Sequence, residues 1–220
     1  MVRWLARSEA FPGVGEATED GILAVGGDLS PTRLVEGYRR GIFPWYSQGQ
    51  PILWWSPDPR GIIPLENFRV GRTLKKILNR RLFRVTVDQA FERVIETCAE
   101  IHEGPRGVGW LTPEMVTAYK YLHRQGHAHS VEVWKDAELA GGLYGVSFHG
   151  FFAGESMFHR VPNASKVALA ALVARMKERG LVLLDCQMST PATVPFGAVE
   201  IPRPEYLALL ERAWALSVTF

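Results

Sequence analysis

Apolar residues follow two spacings along this chain, and the change from one to the other marks most of its elements. Leu74, Ile77 and Leu78 share one face of a segment from Arg72 to Arg81, which predicts a helix with basic residues around it. Leu82 to Val87 then alternates and predicts a strand. His129 to Trp134, Glu138 to Val146 and Phe148 to Gly154 read as a three-stranded meander, turning at Asp136 and at His149-Gly150. Asn163 to Arg179 is an apolar helix ended by Gly180, and Leu181 to Cys186 follows as a buried strand. Capping residues supply the other helices. Ser30 before Pro31 opens one that runs to about Arg40 and stops at Gly41. Asp88 is expected to cap a helix from Gln89 to about His102, and Thr112-Pro113-Glu114 opens one that carries Tyr119 and ends near Gly126. Pro204 to about Leu216 closes the chain as a helix, while Gly104 to Gly109 reads as a flexible loop. Three antiparallel strands, a helix and a further strand make an α+β pattern.

The stretch from Gly41 to Arg60 breaks both spacings. It sets Phe43, Trp45, Tyr46, Trp54 and Trp55 among Pro44, Pro51, Pro57 and Pro59. The prolines forbid a continuous helix and argue against a central strand. Aromatic rings on such stiff backbone serve either as the core of a small N-terminal subdomain or as flat walls for a base or another ring.

With 220 residues the chain has room for one domain, or one plus a small subdomain. Its two cysteines, Cys98 and Cys186, make neither a disulfide framework nor a four-ligand zinc site. That cysteine usage makes a reducing cytoplasm the expected compartment, and the first residues lack the apolar core of a signal peptide. The longest purely apolar run, Val167 to Ala174, is too short to span a membrane. The net charge of +2 conceals a local asymmetry. Arg69, Arg72, Lys75, Lys76, Arg80, Arg81 and Arg84 follow one another with no acid between them, which favours a nucleic-acid contact over an ordinary solvated face.

Two short motifs place polar groups at strand ends. Gly154-Glu155-Ser156-Met157-Phe158 is expected to leave a strand for a loop, offering a carboxylate, a hydroxyl and free backbone amides, or simply a solvated turn. Asp185-Cys186-Gln187 ends an apolar strand. Alternation sets Asp185 and Gln187 on one side, and an acid there needs a partner or a purpose. Cys186 is read as packing, and His127-Ala-His129 as a strand-edge pair rather than a metal site. No metal and no cofactor is expected, and the absence of a Gly-x-x-x-x-Gly-Lys-Ser/Thr loop excludes that mode of ATP binding.

Several blocks resemble, in order and spacing, the leucyl/phenylalanyl-tRNA–protein transferases. They are Gly21-Ile-Leu-Ala-Val-Gly-Gly-Asp-Leu-Ser30, Tyr38 to Gly41, the aromatic–proline stretch, Gly145-Val146, Gly154 to Phe158, Asn163-Ala-Ser-Lys166, Asp185-Cys-Gln187 and Glu200-Ile-Pro-Arg203. The resemblance covers nearly the whole chain. It implies a small N-terminal domain over residues 1–60 and an N-acetyltransferase-like domain, a mixed sheet with flanking helices, over 61–220. It also implies transfer of Leu or Phe, less readily Met, from charged tRNA to the α-amine of proteins that begin with Arg or Lys, which marks them for degradation. Catalysis would fall to Asp185 and Gln187 with Glu155 nearby. An amide has almost no basicity, so the carbonyl of Gln187 would accept from the attacking amine while Asp185 orients it and offsets the developing charge. Asp185 and Glu155 together would attract a cationic acceptor. Leu143, Phe152, Leu172, Met176 and Leu184, with Ser156 and Met157 close by, would form the aminoacyl pocket, although residues of this kind are ordinarily core. Trp45, Trp110 and Tyr119 would meet the tRNA 3′-terminal adenosine. Arg72, Lys75, Lys76, Arg80 and Arg81 would lie along the acceptor-stem phosphates.

The chain departs from the family after Gln187. Where members show a His followed by Ser-Leu-Gly-Ala, it has Ala192-Thr-Val-Pro-Phe-Gly-Ala198, which bears on acceptor preference. Two rival classes remain. An acetyl-CoA-dependent N-acetyltransferase would need a glycine-bearing pyrophosphate loop, and His159 to Lys166 contains no glycine. A non-catalytic RNA-binding protein would use the basic helix and the aromatic walls alone and leave Asp185, Gln187 and Glu155 without a role.

Overall fold

Short strands near the N-terminus build the first of two sheets. The computed structural model describes residues 2–102 and 109–220. Strands β1 (Arg3–Leu5), β2 (Ile22–Gly26), β3 (Phe43–Pro44) and β4 (Leu53–Trp55) form a four-stranded sheet in the order β1-β2-β4-β3. Helix α1 (Pro31–Arg39) lies between β2 and β3 in sequence. Its Ser30 cap accepts from the Arg33 amide as expected. Beyond its end, Gly41 turns at φ 72° and the Ile42 amide reaches back to Gly37 O at 2.8 Å, which sets the chain toward β3.

The prolines do not keep this stretch out of the sheet. β4 is an interior strand because Pro51 and Pro57 flank it rather than interrupt it, and Pro44 sits on the edge strand. Trp54 is fully buried, donates from Nε1 to Gly26 O at 2.9 Å and meets the edge of Phe11.

A second sheet of seven strands follows. It contains β5 (Arg60–Ile63), β6 (Arg84–Val87), β7 (Ala128–Lys135), β8 (Glu138–Phe148), β9 (Phe151–His159), β10 (Leu183–Gln187) and β11 (Val199–Ile201). The order is β11-β5-β10-β9-β8-β7-β6, and every neighbouring pair is antiparallel except β9 with β10. The helices are α2 (Arg72–Asn79), α3 (Phe91–His102), α4 (Pro113–Arg124), α5 (Ala164–Arg179) and α6 (Arg203–Trp214). Alternation sorts the strand residues between two cores. Tyr144, Val146, Phe151 and Leu183 pack with α3, α4 and α6, while Val131, Leu143, Phe152 and Leu184 pack with α2 and α5. Phe43, Tyr46 and Trp54 belong to the first of these cores, so the aromatic stretch is joined to the larger sheet. The fold class is α+β, a small N-terminal sheet ahead of a mixed sheet flanked by helices. Among the described residues no helix is long and apolar enough to cross a membrane.

Three local expectations are corrected. Asp88 does not cap α3. It turns at φ 57°, and its carboxylate takes the Ser130 amide at 2.8 Å and His129 Nδ1 at 2.7 Å. The Ala90 amide donates instead to Glu132 Oε1. The third meander strand begins at Phe151, because His149-Gly150 makes the turn, and continues to His159. Gly154 to Phe158 therefore lies inside a strand and not in a loop. The flexible loop expected over Gly104 to Gly109 falls, apart from Gly109, outside the described residues.

Candidate active site

β9 and β10 stay together only from Phe151/Leu183 to Ala153/Asp185 and then part. The wedge between them is the candidate site, and each wall carries a bulge at a polar residue. On β9, Ser156 pairs with Tyr144 and Gly154 with Gly145, which leaves Glu155 as the extra residue. Gly145 permits this approach, since a Cβ there would lie 2.1 Å from Ala153 O. On β10, Asp185 pairs with Ile62 and Gln187 with Gly61, so Cys186 is extra. Gln187 itself sits at φ 60°, and the Met188 amide donates to Cys186 O at 2.6 Å. That pairing of a positive φ with a bond two residues back is a γ-turn of the rare, strained form.

The wedge opens into a cavity of about 360 Å³. Ile63, Leu143, Met157, Leu169, Leu172 and Leu184 make its apolar depth. Phe43, Pro44, Trp45 and Trp110 flank it, and Trp45 is 37% exposed. Trp55 steadies Trp45 by donating from Nε1 to its carbonyl and tilting against its ring at 5.5 Å. Glu155, Asp185, Gln187 and Ser156 face the cavity with Thr190, Ala192 and Thr193, so the loop after β10 forms part of the wall.

Asp185 is not a free carboxylate. Arg60 grips both of its oxygens, Nε to Oδ1 at 2.9 Å and Nη2 to Oδ2 at 2.6 Å, and both residues are buried. Burial works against the Arg60 guanidinium, but the Asp185 charge beside it outweighs that and raises its pKa, so it stays a cation. The guanidinium lies against the rings of Phe43 at 4.7 Å and Tyr206 at 4.5 Å.

Glu155 is the site's unpaired acid. Burial pushes its carboxyl from the ordinary 4.5 up to about 7, the Asp185 charge adds to the rise, and the hydroxyls of Tyr38 and Tyr119 oppose it. Tyr119 donates to Oε2 at 3.2 Å and meets the Tyr38 hydroxyl at 2.5 Å, while Oε1 is buried with no partner. The amide of Gln187 is satisfied when its nitrogen donates to Gly154 O and Cys186 O, each at 3.0 Å. It then spans the two parted strands, and its oxygen is left as the acceptor. Burial pushes the Cys186 thiol up to about 12, so it is no nucleophile near neutral pH.

Three residues of the expected site lie off the cavity wall. Tyr119 is buried behind it and acts on it through Glu155. Phe152 lies over Gly145 and beside Phe220 in the core. Met176 is one turn beyond Leu172 on α5 and fully buried. The expected residues Trp45, Trp110, Leu143, Glu155, Ser156, Met157, Leu172, Leu184, Asp185 and Gln187 do share the wall. Sequence reasoning missed Arg60, Tyr206, Tyr38 and Ile63. An acid at a buried strand end signalled that a partner exists, but nothing local named Arg60. On the α5 face of the sheet, Arg72, Lys75, Lys76, Arg80 and Arg81 are exposed, and among the described residues none is ion-paired. His129 goes to Asp88 and His127 to the Phe148 ring, and among the described residues no group of three or more His, Cys, Asp or Glu is set to hold a metal.

Comparison with known proteins identifies the family. A family model described as leucyl/phenylalanyl-tRNA protein transferase matches residues 62–211, and one for the N-terminal domain of that family matches residues 27–58. Proteins named leucyl/phenylalanyl-tRNA–protein transferase are similar along almost the whole chain. One from Nitratidesulfovibrio vulgaris strain DP4 is 52% identical over 203 residues, 92% of this chain and 87% of that one. One from Azoarcus sp. strain BH72 is 52% identical over 214 residues, 96% and 91% of the two chains. Among solved structures, a ribosomal-protein-alanine N-acetyltransferase from Brucella melitensis biovar Abortus 2308 aligns over 50% of this chain and 83% of that one, at 13% identity and a TM-score of 0.36.

Proposed function

The chain belongs to the leucyl/phenylalanyl-tRNA–protein transferase family and is an aminoacyltransferase from tRNA to protein, and on that premise we propose that it moves Leu or Phe, less readily Met, to proteins that begin with Arg or Lys. We place this reaction in the cytoplasm, where it would mark its products for degradation, and keep the division into residues 1–60 and 61–220. The observation that carries the reading is the cavity, with an apolar depth, indole walls and an unpaired acid beside an amide.

The donor ester is already activated, so the site has to orient an amine and manage its proton. The side chain of the donor amino acid fits the depth lined by Leu143, Met157, Leu172 and Leu184, and the terminal adenosine the indoles of Trp45 and Trp110. Gln187 accepts a hydrogen bond from the attacking amine. The C–N bond forms as the amine attacks the ester carbonyl, Glu155 takes the amine's proton, and the same proton goes to the ribose oxygen as the C–O bond breaks. A carboxyl near 7 suits both transfers. Because Arg60 compensates Asp185, attraction of an Arg or Lys acceptor rests mainly on Glu155. The exposed cations of α2 supply phosphate contacts without reading sequence.

The test is transfer of labelled leucine, without ATP, to a peptide beginning with Arg and to one beginning with Asp. Transfer to the first alone is expected. Equal transfer to both would remove the acceptor assignment, and transfer to neither would remove the function.

A further inference from the structure

Building on that reading, we propose that Asp185 exchanges no proton during transfer and that Arg60 and Tyr206 are positioning residues which, through Asp185, hold Gln187 in its working place. A carboxylate offers about four acceptor positions, and here all four are taken. Oδ1 accepts from Arg60 Nε at 2.9 Å and from the Gln187 backbone N–H at 2.8 Å. Oδ2 accepts from Arg60 Nη2 at 2.6 Å and from the Tyr206 hydroxyl at 2.9 Å. The residue is wholly buried, so no acceptor position is left for an incoming amine.

The bond from the Gln187 amide explains what the clamp holds. Gln187 is a non-glycine residue at φ 60° inside a γ-turn, a conformation that persists only where its surroundings impose it. Asp185 fixes the amide at the centre of that turn, and Arg60 fixes Asp185 from the neighbouring strand β5. Arg60 is itself anchored. Its Nη1 donates to Gly41 O at 3.0 Å, and its plane lies against Phe43, a residue of the cavity wall. The clamp therefore ties the end of α1 and the aromatic wall to the strand that presents Gln187. Without it the turn would relax and the Gln187 side-chain amide would lose its reach across the wedge.

A charge-removal cycle separates holding from proton transfer. Arg60→Gln, Asp185→Asn and the double variant are assayed for leucine transfer to the Arg peptide, with melting curves and charged-tRNA binding alongside. Each single variant should lower kcat by about 100-fold or more and leave KM for charged tRNA within about threefold, because each leaves a buried partner unmatched. The double variant replaces the ion pair with two amides that bond each other, and it should regain at least about tenfold over Asp185→Asn. A double variant that folds, melts cooperatively and is no faster than Asp185→Asn would overturn the proposal, since the charge itself would then be needed. Should these proteins fail to fold, Tyr206→Phe decides. We expect kcat to fall about fivefold with the acidic limb of the pH profile unmoved, whereas a limb displaced upward would mean that Asp185 titrates. A wild type that transfers nothing overturns the functional reading, and an active wild type beside an unrescued double variant overturns only the clamp.

Discussion

Replacing Glu155 with Gln should stabilise the protein, and the gain should grow with pH. The folded state holds the Glu155 proton to about 7, against an ordinary value of 4.5. Below about 4.5 both folded and unfolded chains are protonated there, and the site contributes nothing to the pH dependence. Between that value and about 7 unfolding releases the proton, so stability falls as pH rises. Above about 7 both states are ionised, and the full penalty of a buried carboxylate remains. The displacement of roughly 2.5 units corresponds to about 3 kcal/mol. Gln cannot ionise, so any change in its own hydrogen bonding appears as an offset at every pH. The difference in melting temperature between Glu155→Gln and wild type should widen by about 6–12 °C from about pH 4.5 to about pH 8 for a chain of this size. Scanning calorimetry at several pH values measures it. A constant difference, or one that widens toward acid, would refute the burial argument.

Other perturbations address the donor side. Trp45→Ala should weaken charged-tRNA binding by about 1–3 kcal/mol if one base stacks there, measured by filter binding at fixed salt. Lys75→Ala with Lys76→Ala should lower the steepness of the salt dependence by about two units, and an unchanged slope would take α2 out of the phosphate contact. Leu172→Trp narrows the cavity depth and should reduce Phe transfer at least about tenfold more than Leu transfer, in competition between the two charged tRNAs.

Long, strongly patterned elements were legible in the sequence. Ser30 and Pro31 marked the start of α1, and the apolar run after Asn163 marked α5. What failed was local exception to pattern. Asp88 has the composition of a cap, but its positive φ turns the carboxylate to His129 and Ser130. Leu53–Trp55 enters the sheet because its flanking prolines leave its own amides free to pair. Glu155 and Cys186 are extra residues in bulges, and a rule of strict alternation cannot place them. The candidate site was read as a set of residue types, and most of them do share one cavity. The electrostatics were not legible. Arg60 lies 125 residues from Asp185 in sequence, and the state of the Asp185 carboxylate depends on that contact. The same holds for Glu155, whose environment is supplied by Tyr38 and Tyr119 from two different helices.

On the proposed function, one cavity holds both the amino acid and the terminal adenosine of the donor. The most direct measurement is a crystal structure with a non-hydrolysable phenylalanyl-adenosine analogue. The phenyl ring should lie among Leu143, Met157, Leu172 and Leu184, the adenine against Trp45 or Trp110, and the amide carbonyl within hydrogen-bonding reach of an amine placed on Gln187. An analogue bound outside the wedge, for example in the groove between Leu29 and Tyr121, would contradict it.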